Sequence, residues 1–204
     1  MKRIISLALC LVLCLLAFTS CGKKEESSNN FETLEGHPHV KVLMDTGSSF
    51  TIELYPEFAP ETCSNFVNLV KSGFYNGLTF HRIVDNFMAQ GGSSDGKGVK
   101  GSDTRIKGEF AANGFTQNTM KHERGVVSMA RTSDNFDSAS SQFFICYTDC
   151  SFLDGQYAAF GKVIEGMETV DKFCEAERTS NGFDSTPSTP VEPIVISSME
   201  LVES

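Results

Sequence analysis

Arg82 stands where its side chain could do chemistry. The stretch Phe80-His81-Arg82-Ile83-Val84-Asp85-Asn86-Phe87-Met88-Ala89-Gln90-Gly91-Gly92 reads as two short strands around an Asp-Asn turn, ending in a glycine pair. Strand side chains alternate with period two, which predicts Phe80, Arg82 and Val84 on one face. Phe87, Met88 and Gln90 follow on the second strand. An arginine next to apolar groups and one amide, with no carboxylate partner nearby in sequence, is unusual for a core. It suits a site that grips an apolar group and also donates hydrogen bonds.

The elements that must hold this hairpin are legible as patterns. Val40, Val42 and Met44 alternate, Asp45-Thr46-Gly47-Ser48 turns, and Phe50, Ile52 and Leu54 alternate against Thr51 and Glu53, which predicts an opening hairpin. A helix should follow, with Pro60 in its first turn beside Glu61, then Cys63, Phe66, Val67 and Val70 at helical spacing, stopped by Gly73. The chain returns to strands and is loop-rich from Ser93 to Arg124. A second short helix is expected from Met167 to about Cys174, with Met167, Val170, Phe173 and Cys174 on one stripe. Val191 to Val202 reads as the closing strand after a Thr/Ser/Pro-rich loop. Many strands, two helices and no β-α-β alternation indicate a mainly β fold with a closed antiparallel sheet.

Three further blocks accompany the Arg82 hairpin in order: Gly125-Val126-Val127-Ser128-Met129-Ala130-Arg131, Ser141-Gln142-Phe143-Phe144-Ile145-Cys146, and Phe152-Leu153-Asp154-Gly155-Gln156-Tyr157-Ala158-Ala159-Phe160-Gly161-Lys162-Val163. Together these four blocks resemble the cyclophilin family of peptidyl-prolyl cis-trans isomerases, and the resemblance runs from about His37 to the C-terminus. It implies a closed eight-stranded antiparallel barrel with a helix over each open end, and an enzyme that accelerates rotation about X-Pro bonds in proline-containing polypeptides. That reaction makes and breaks no bond. Twisting the amide costs about 18–20 kcal/mol because resonance is lost. An apolar pocket for the proline ring, with donors that favour the twisted amide, is therefore enough. No nucleophile, metal or other cofactor is expected.

By the resemblance, Arg82 is the central catalytic group, and a lysine could not present its planar fork. Gln90 and Gln142 would hold the substrate carbonyl and backbone. Phe87, Met88, Phe144 and Leu153 would line the proline pocket, while Phe80 and Phe143 read as core. Alternation along Gln142-Phe143-Phe144-Ile145 lets only one of its two phenylalanines face the groove. Ala130, Arg131 and Thr132 match the stretch that pairs with residues before the proline. The sequence departs from the family pattern at three positions: Phe152 for a common Trp at the site linked to cyclosporin, Tyr157 for a common His at the pocket rim, and Arg131 for a common Asn. The first implies weak cyclosporin binding; the others adjust the substrate groove. A binding module that holds proline segments with little turnover is the alternative function.

The 204 residues suffice for one ordinary domain with a proper core, and a monomer is expected. The formal charge is −9, and no basic patch of the kind a nucleic-acid partner requires is visible. At the N-terminus, Met1-Lys2-Arg3 precedes an apolar run from Ile4 to Phe18 broken only by Ser6. As a helix this run would be roughly 22 Å long, short of the roughly 30 Å of a bilayer core, so residues 1–20 read as a signal peptide. Phe18-Thr19-Ser20-Cys21-Gly22 resembles the bacterial lipobox, with Phe18 where an aliphatic residue is usual. Cys21 would then carry lipid, palmitate included, and anchor the protein to a bacterial membrane outside the cytoplasm; ordinary secretion with cleavage near Ser20 is the alternative. Residues 21–36 form a polar tether and 37–204 the isomerase domain. Cys63, Cys146, Cys150 and Cys174 are expected as reduced, buried thiols. Gly91-Gly92-Ser93-Ser94-Asp95-Gly96-Lys97-Gly98 mimics the start of a P-loop, but Gly98 replaces the magnesium-binding hydroxyl. It reads as a glycine-rich loop beside the groove. His37, His39, His81 and His122 read as surface or structural histidines.

Overall fold

Alternation decides the frame. Our computed structural model describes residues 32–203; the expected signal peptide, Cys21 and most of the expected tether lie outside them. The first hairpin is β1 (His39–Met44) and β2 (Ser49–Leu54), with Val40, Val42, Met44, Phe50, Ile52 and Leu54 all buried. Helix α1 (Pro60–Lys71) follows. Next come β3 (Thr79–Val84), β4 (Met88–Gly91), β5 (Val126–Met129), β6 (Phe143–Cys146) and β7 (Ala159–Glu165). After α2 (Met167–Asp171) and a 3-10 turn at Lys172–Glu175, a two-stranded ribbon joins β8 (Arg178–Thr179) to β9 (Thr189–Pro190). The last strand is β10 (Ile194–Val202).

Eight strands close antiparallel into a barrel in the order β1-β10-β3-β4-β6-β5-β7-β2, as expected. The ribbon β8–β9 stands outside that order, and its two-residue strands gave no periodic signal. The second helix is shorter than expected, because the stripe residues Phe173 and Cys174 fall in the 3-10 turn.

The interior is filled largely by rings. Phe66 of α1 meets Tyr75, Phe143 and Phe160 at centroid distances of 5.2, 5.5 and 5.1 Å. Cys63, Val67 and Val70 bury the rest of its stripe, and Val170 of α2 and Phe173 of the 3-10 turn join the same core. The start of α1 carries no side-chain cap from its own flank. Instead the buried Glu109 carboxylate accepts from the backbone N–H groups of Glu61 (3.0 Å) and Thr62 (2.8 Å) and from the Thr62 hydroxyl (2.6 Å). Those donors are the ones a helix leaves unpaired, and the helix dipole favours negative charge beside them.

One expectation of alternation fails at the functional hairpin. The ladder between β3 and β4 shifts register between Phe80 and Arg82. Phe80 therefore points into the core with Ile83, while Arg82 stays half-buried outside it. An irregularity of this kind changes which residues share a face, and strict period two cannot anticipate it.

Candidate active site

Arg82 and Gln90 are direct partners across β3 and β4. The turn between them is closed by Asn86 in the left-handed region (φ 57°), a conformation that asparagine tolerates better than most residues. From Arg82 a chain of polar side chains runs across the sheet. Arg82 Nη1 donates to Gln90 Oε1 at 3.1 Å, and Gln90 Nε2 donates to Gln142 Oε1 at 2.9 Å. Gln142 Nε2 then reaches the carbonyls of Gly98 (3.1 Å) and Lys100 (3.2 Å) in the glycine-rich loop. The loop thus fixes both amides in one orientation.

The glycine pair after Gln90 has a steric reason. Gly92 has φ +80°, and a Cβ there would fall 2.6 Å from the Ser141 carbonyl oxygen. Any side chain at this position would push the strand carrying Gln90 away from the one following Gln142.

Beside this polar row lies a second apolar cluster, distinct from the barrel core. Met88, Phe144, Cys146, Cys150 and Leu153 form its buried part, and Val84, Phe87, Ala130 and Tyr157 pack against it. Phe144 meets Tyr157 edge-on at 5.9 Å. Behind Phe144 the His122 ring stacks at 6.1 Å, held by Ser128 Oγ (3.0 Å) and Asp154 Oδ1 (3.1 Å). Burial pushes the His122 imidazole below its ordinary range, against the pull of Asp154. Phe152 lies at the rim, 64% exposed, with its ring 5.5 Å from that of Phe87. The Arg82 guanidinium carbon is 6.0 Å from the Phe87 centroid, which places the charged fork at the edge of the apolar cluster.

The structure thus gathers Arg82, Gln90, Gln142, Phe87, Met88, Phe144, Leu153, Phe152, Tyr157 and Ala130 on one face. Arg131 and Thr132 contribute differently. The Arg131 side chain stacks over Tyr157, Phe136 and Phe110 at 4.4, 4.7 and 5.3 Å and donates to the carbonyls of Gln156 and Thr132. It walls the groove and holds Tyr157. The N–H groups of Ala130 and Thr132 are engaged internally, by the Gln142 carbonyl and the Ser138 hydroxyl.

Two features escaped the sequence reading. One is His122 behind Phe144. The other is Asp184, 102 residues after Arg82 in the β8–β9 loop, which accepts from Arg82 Nε at 2.8 Å and Nη2 at 2.5 Å. Asp85, the nearby carboxylate in sequence, pairs with Arg178, and the carboxylate partner of Arg82 comes from far along the chain. Cys63, Cys146 and Cys150 are buried free thiols; Cys174 is only half-buried.

The family model described as cyclophilin type peptidyl-prolyl cis-trans isomerase/CLD matches residues 39–201. The chain is 40% identical over 210 residues to peptidyl-prolyl cis-trans isomerase A of Dickeya dadantii, covering 99% of this chain and 98% of that protein. It is 44% identical over 148 residues to a peptidyl-prolyl cis-trans isomerase of Helicobacter pylori, covering 72% and 86%. Among solved structures, it resembles a cyclophilin type peptidyl-prolyl cis-trans isomerase of Cryptosporidium parvum with a TM-score of 0.71 at 28% identity, covering 83% of this chain and 99% of that one. That protein has also been crystallised in the presence of the dipeptide Ala-Pro.

Proposed function

The chain belongs to the cyclophilin-type peptidyl-prolyl cis-trans isomerase family, and we propose that within it Arg82 and Gln90 act on the prolyl amide while Phe87, Met88, Phe144 and Leu153 receive the proline ring. Its activity is rotation about X-Pro bonds, and its substrates are proline-containing polypeptides. The observation that supports this division of roles is the position of a guanidinium at the edge of a dry apolar cluster, tied to an amide row.

The chemistry follows from what rotation needs. As the amide twists, its nitrogen becomes pyramidal and more basic, and the carbonyl loses conjugation. A donor held beside it stabilises the twisted form more than the planar one, and only such a differential contact raises the rate. The apolar cluster holds the ring while the preceding residue turns. Gln90 and Gln142, oriented by the glycine-rich loop, offer amide groups to the substrate backbone, and Arg131 contributes its main chain between two engaged neighbours. Arg82→Ala tests the assignment: turnover of a proline tetrapeptide should fall about a hundredfold or more, the cost of losing one such donor elsewhere, with the fold intact. A folded variant with wild-type turnover overturns it, and a wild type that binds the peptide without turning it over would favour the binding-module alternative.

The setting is also proposed. The n-region, the short apolar run and the lipobox-like Phe18-Thr19-Ser20-Cys21 support a lipoprotein whose tether, residues 21–36, holds the domain outside the cytoplasm, where slow X-Pro steps can limit folding of exported clients. Among the described residues no helix is long and apolar enough to cross a membrane. Cys21→Ala should release the protein from the membrane fraction or leave it unprocessed. An alanine variant processed to the same size and still membrane-bound would exclude the lipid anchor.

A further inference from the structure

We propose that Asp184 is a positioning residue for Arg82, a carboxylate delivered by the β8–β9 loop that fixes the guanidinium and leaves it two N–H groups for the substrate. The proposal rests on the assignment of Arg82 to the prolyl amide. A guanidinium has five N–H donors in a rigid fork. Asp184 takes Nε–H and one N–H of Nη2, and Gln90 takes one N–H of Nη1. One N–H remains on each Nη. An arginine without such a clamp would lose rotamer freedom each time it engaged a twisted amide, and preorganisation removes that cost from the reacting step.

The loop is built to present this carboxylate. Asn181 Oδ1 accepts from the backbone N–H groups of Phe183 and Asp184, both at 2.9 Å, and Asn181 Nδ2 donates to Asp184 Oδ2 at 2.8 Å. The loop is fastened to the strand that carries Arg82: the Ile83 N–H donates to the Ser188 carbonyl at 2.8 Å. At its base Arg178 makes a second two-pronged pair, with Asp85 in the β3–β4 turn, at 2.7 and 2.9 Å. Apolar packing does not hold the tip, since Phe183 is 95% exposed. Asp184 itself is only 11% exposed at its side chain, so the pair is screened from water on the carboxylate side. The Arg82 guanidinium holds the Asp184 carboxyl well below the usual carboxylate range, so the clamp is charged at neutral pH.

The same contact could in principle act as a lock that competes with substrate for Arg82, and the two roles differ in sign. In the full-length protein, Asp184→Ala should lower kcat/KM about ten- to a hundredfold, the range that slight misplacement of a reacting group produces. Affinity for a proline tetrapeptide, measured by NMR titration, should change little. Asp184→Asn, which keeps one acceptor oxygen, should fall between. The Arg82 Nε–H resonance should be slow to exchange in the wild type and lost in the alanine variant. In an Arg82→Ala background, Asp184→Ala should cause no further loss, because its effect passes through Arg82. Turnover of Asp184→Ala equal to or above wild type overturns the proposal, as does an equal loss in both backgrounds, which would mean a general role in loop structure. Wild-type turnover of Arg82→Ala alone would instead remove the assignment on which the proposal rests.

Discussion

Strands β3, β4 and β6 carry two apolar surfaces back to back, and comparing them separates folding from function. Inward, Ile83, Ala89, Phe143 and Ile145 join the barrel core. Outward, Met88, Phe144 and Cys146 form the floor of the second cluster. Burial hardly distinguishes the two: Phe143 is 0% exposed and Phe144 5%. Their neighbours do. Phe143 meets Phe66, Tyr75 and Phe80, rings that demand close packing and, for Tyr75, one acceptor, the Ser141 carbonyl. Phe144 lies between His122 and Tyr157, opposite Gln90 in the ladder and on the same strand face as Gln142, two residues before it. A dry surface becomes a site when donors with spare capacity stand at its edge.

The comparison can be broken most sharply at Phe143. Phe143→Ala removes a ring at the centre of an aromatic cluster and should cost about 3–5 kcal/mol of stability, read by denaturant unfolding. Turnover per folded molecule should survive. Arg82→Ala should do the reverse, with a loss of about 3–4 kcal/mol in transition-state stabilisation and an unfolding midpoint near wild type. If Phe143→Ala slowed folded enzyme as much as Arg82→Ala does, the two faces would not be separable.

How much of this division was legible beforehand depended on the range of the interaction. The inward set followed from period two and from helical spacing, both local properties of the chain. Alternation allowed only one of Phe143 and Phe144 to face the groove, and the family resemblance chose Phe144. The Arg82 hairpin was readable because its partners Phe87, Met88 and Gln90 follow within eight residues. Three features were not readable. The register shift at Phe80 depends on the pairing of two strands. Asp184 meets Arg82 across 102 residues, from a loop whose composition marks it only as a loop. His122 was read as structural, but its place behind Phe144 follows from barrel closure, which brings β5 beside β6.

A smaller effect is expected at the rim. Phe152 is exposed, in contact with the Phe87 ring, and offers no hydrogen-bond donor. An indole there would add one. Phe152→Trp should therefore tighten cyclosporin binding about tenfold to a hundredfold, the value of one hydrogen bond plus relief of an orphaned carbonyl. Peptide turnover should change far less, because the ring-binding floor is Met88, Phe144 and Leu153. Calorimetric titration of both proteins checks this, and tight binding by the wild type would remove Phe152 from the drug-facing position.

The smallest effect is expected from mild acid, and it distinguishes two buried histidines. Burial holds both His81 and His122 below the ordinary imidazole value of 6.5. The unfolded chain then binds protons more readily than the native one, so stability is fully present above pH 6.5 and declines as pH falls below it. The two should not contribute equally. A protonated His122 could still donate through Nδ1 to Asp154 and through Nε2 to Ser128. Neither nitrogen of His81 meets a partner in good geometry, and its ring lies against the glycine-rich loop, where a Cβ on Gly98 would fall 2.9 Å from Nε2. A backbone contact with Thr79 and the charge of Asp95 pull the His81 value up, and Arg82 pushes it further down. A charged His81 would therefore be buried without the two side-chain partners that His122 has, which is the costlier state. The melting temperature should fall between pH 7.5 and pH 5, and His81→Gln should flatten that slope more than His122→Gln. The opposite order would mean that the pair with Asp154, rather than burial, governs the response of the site to acid.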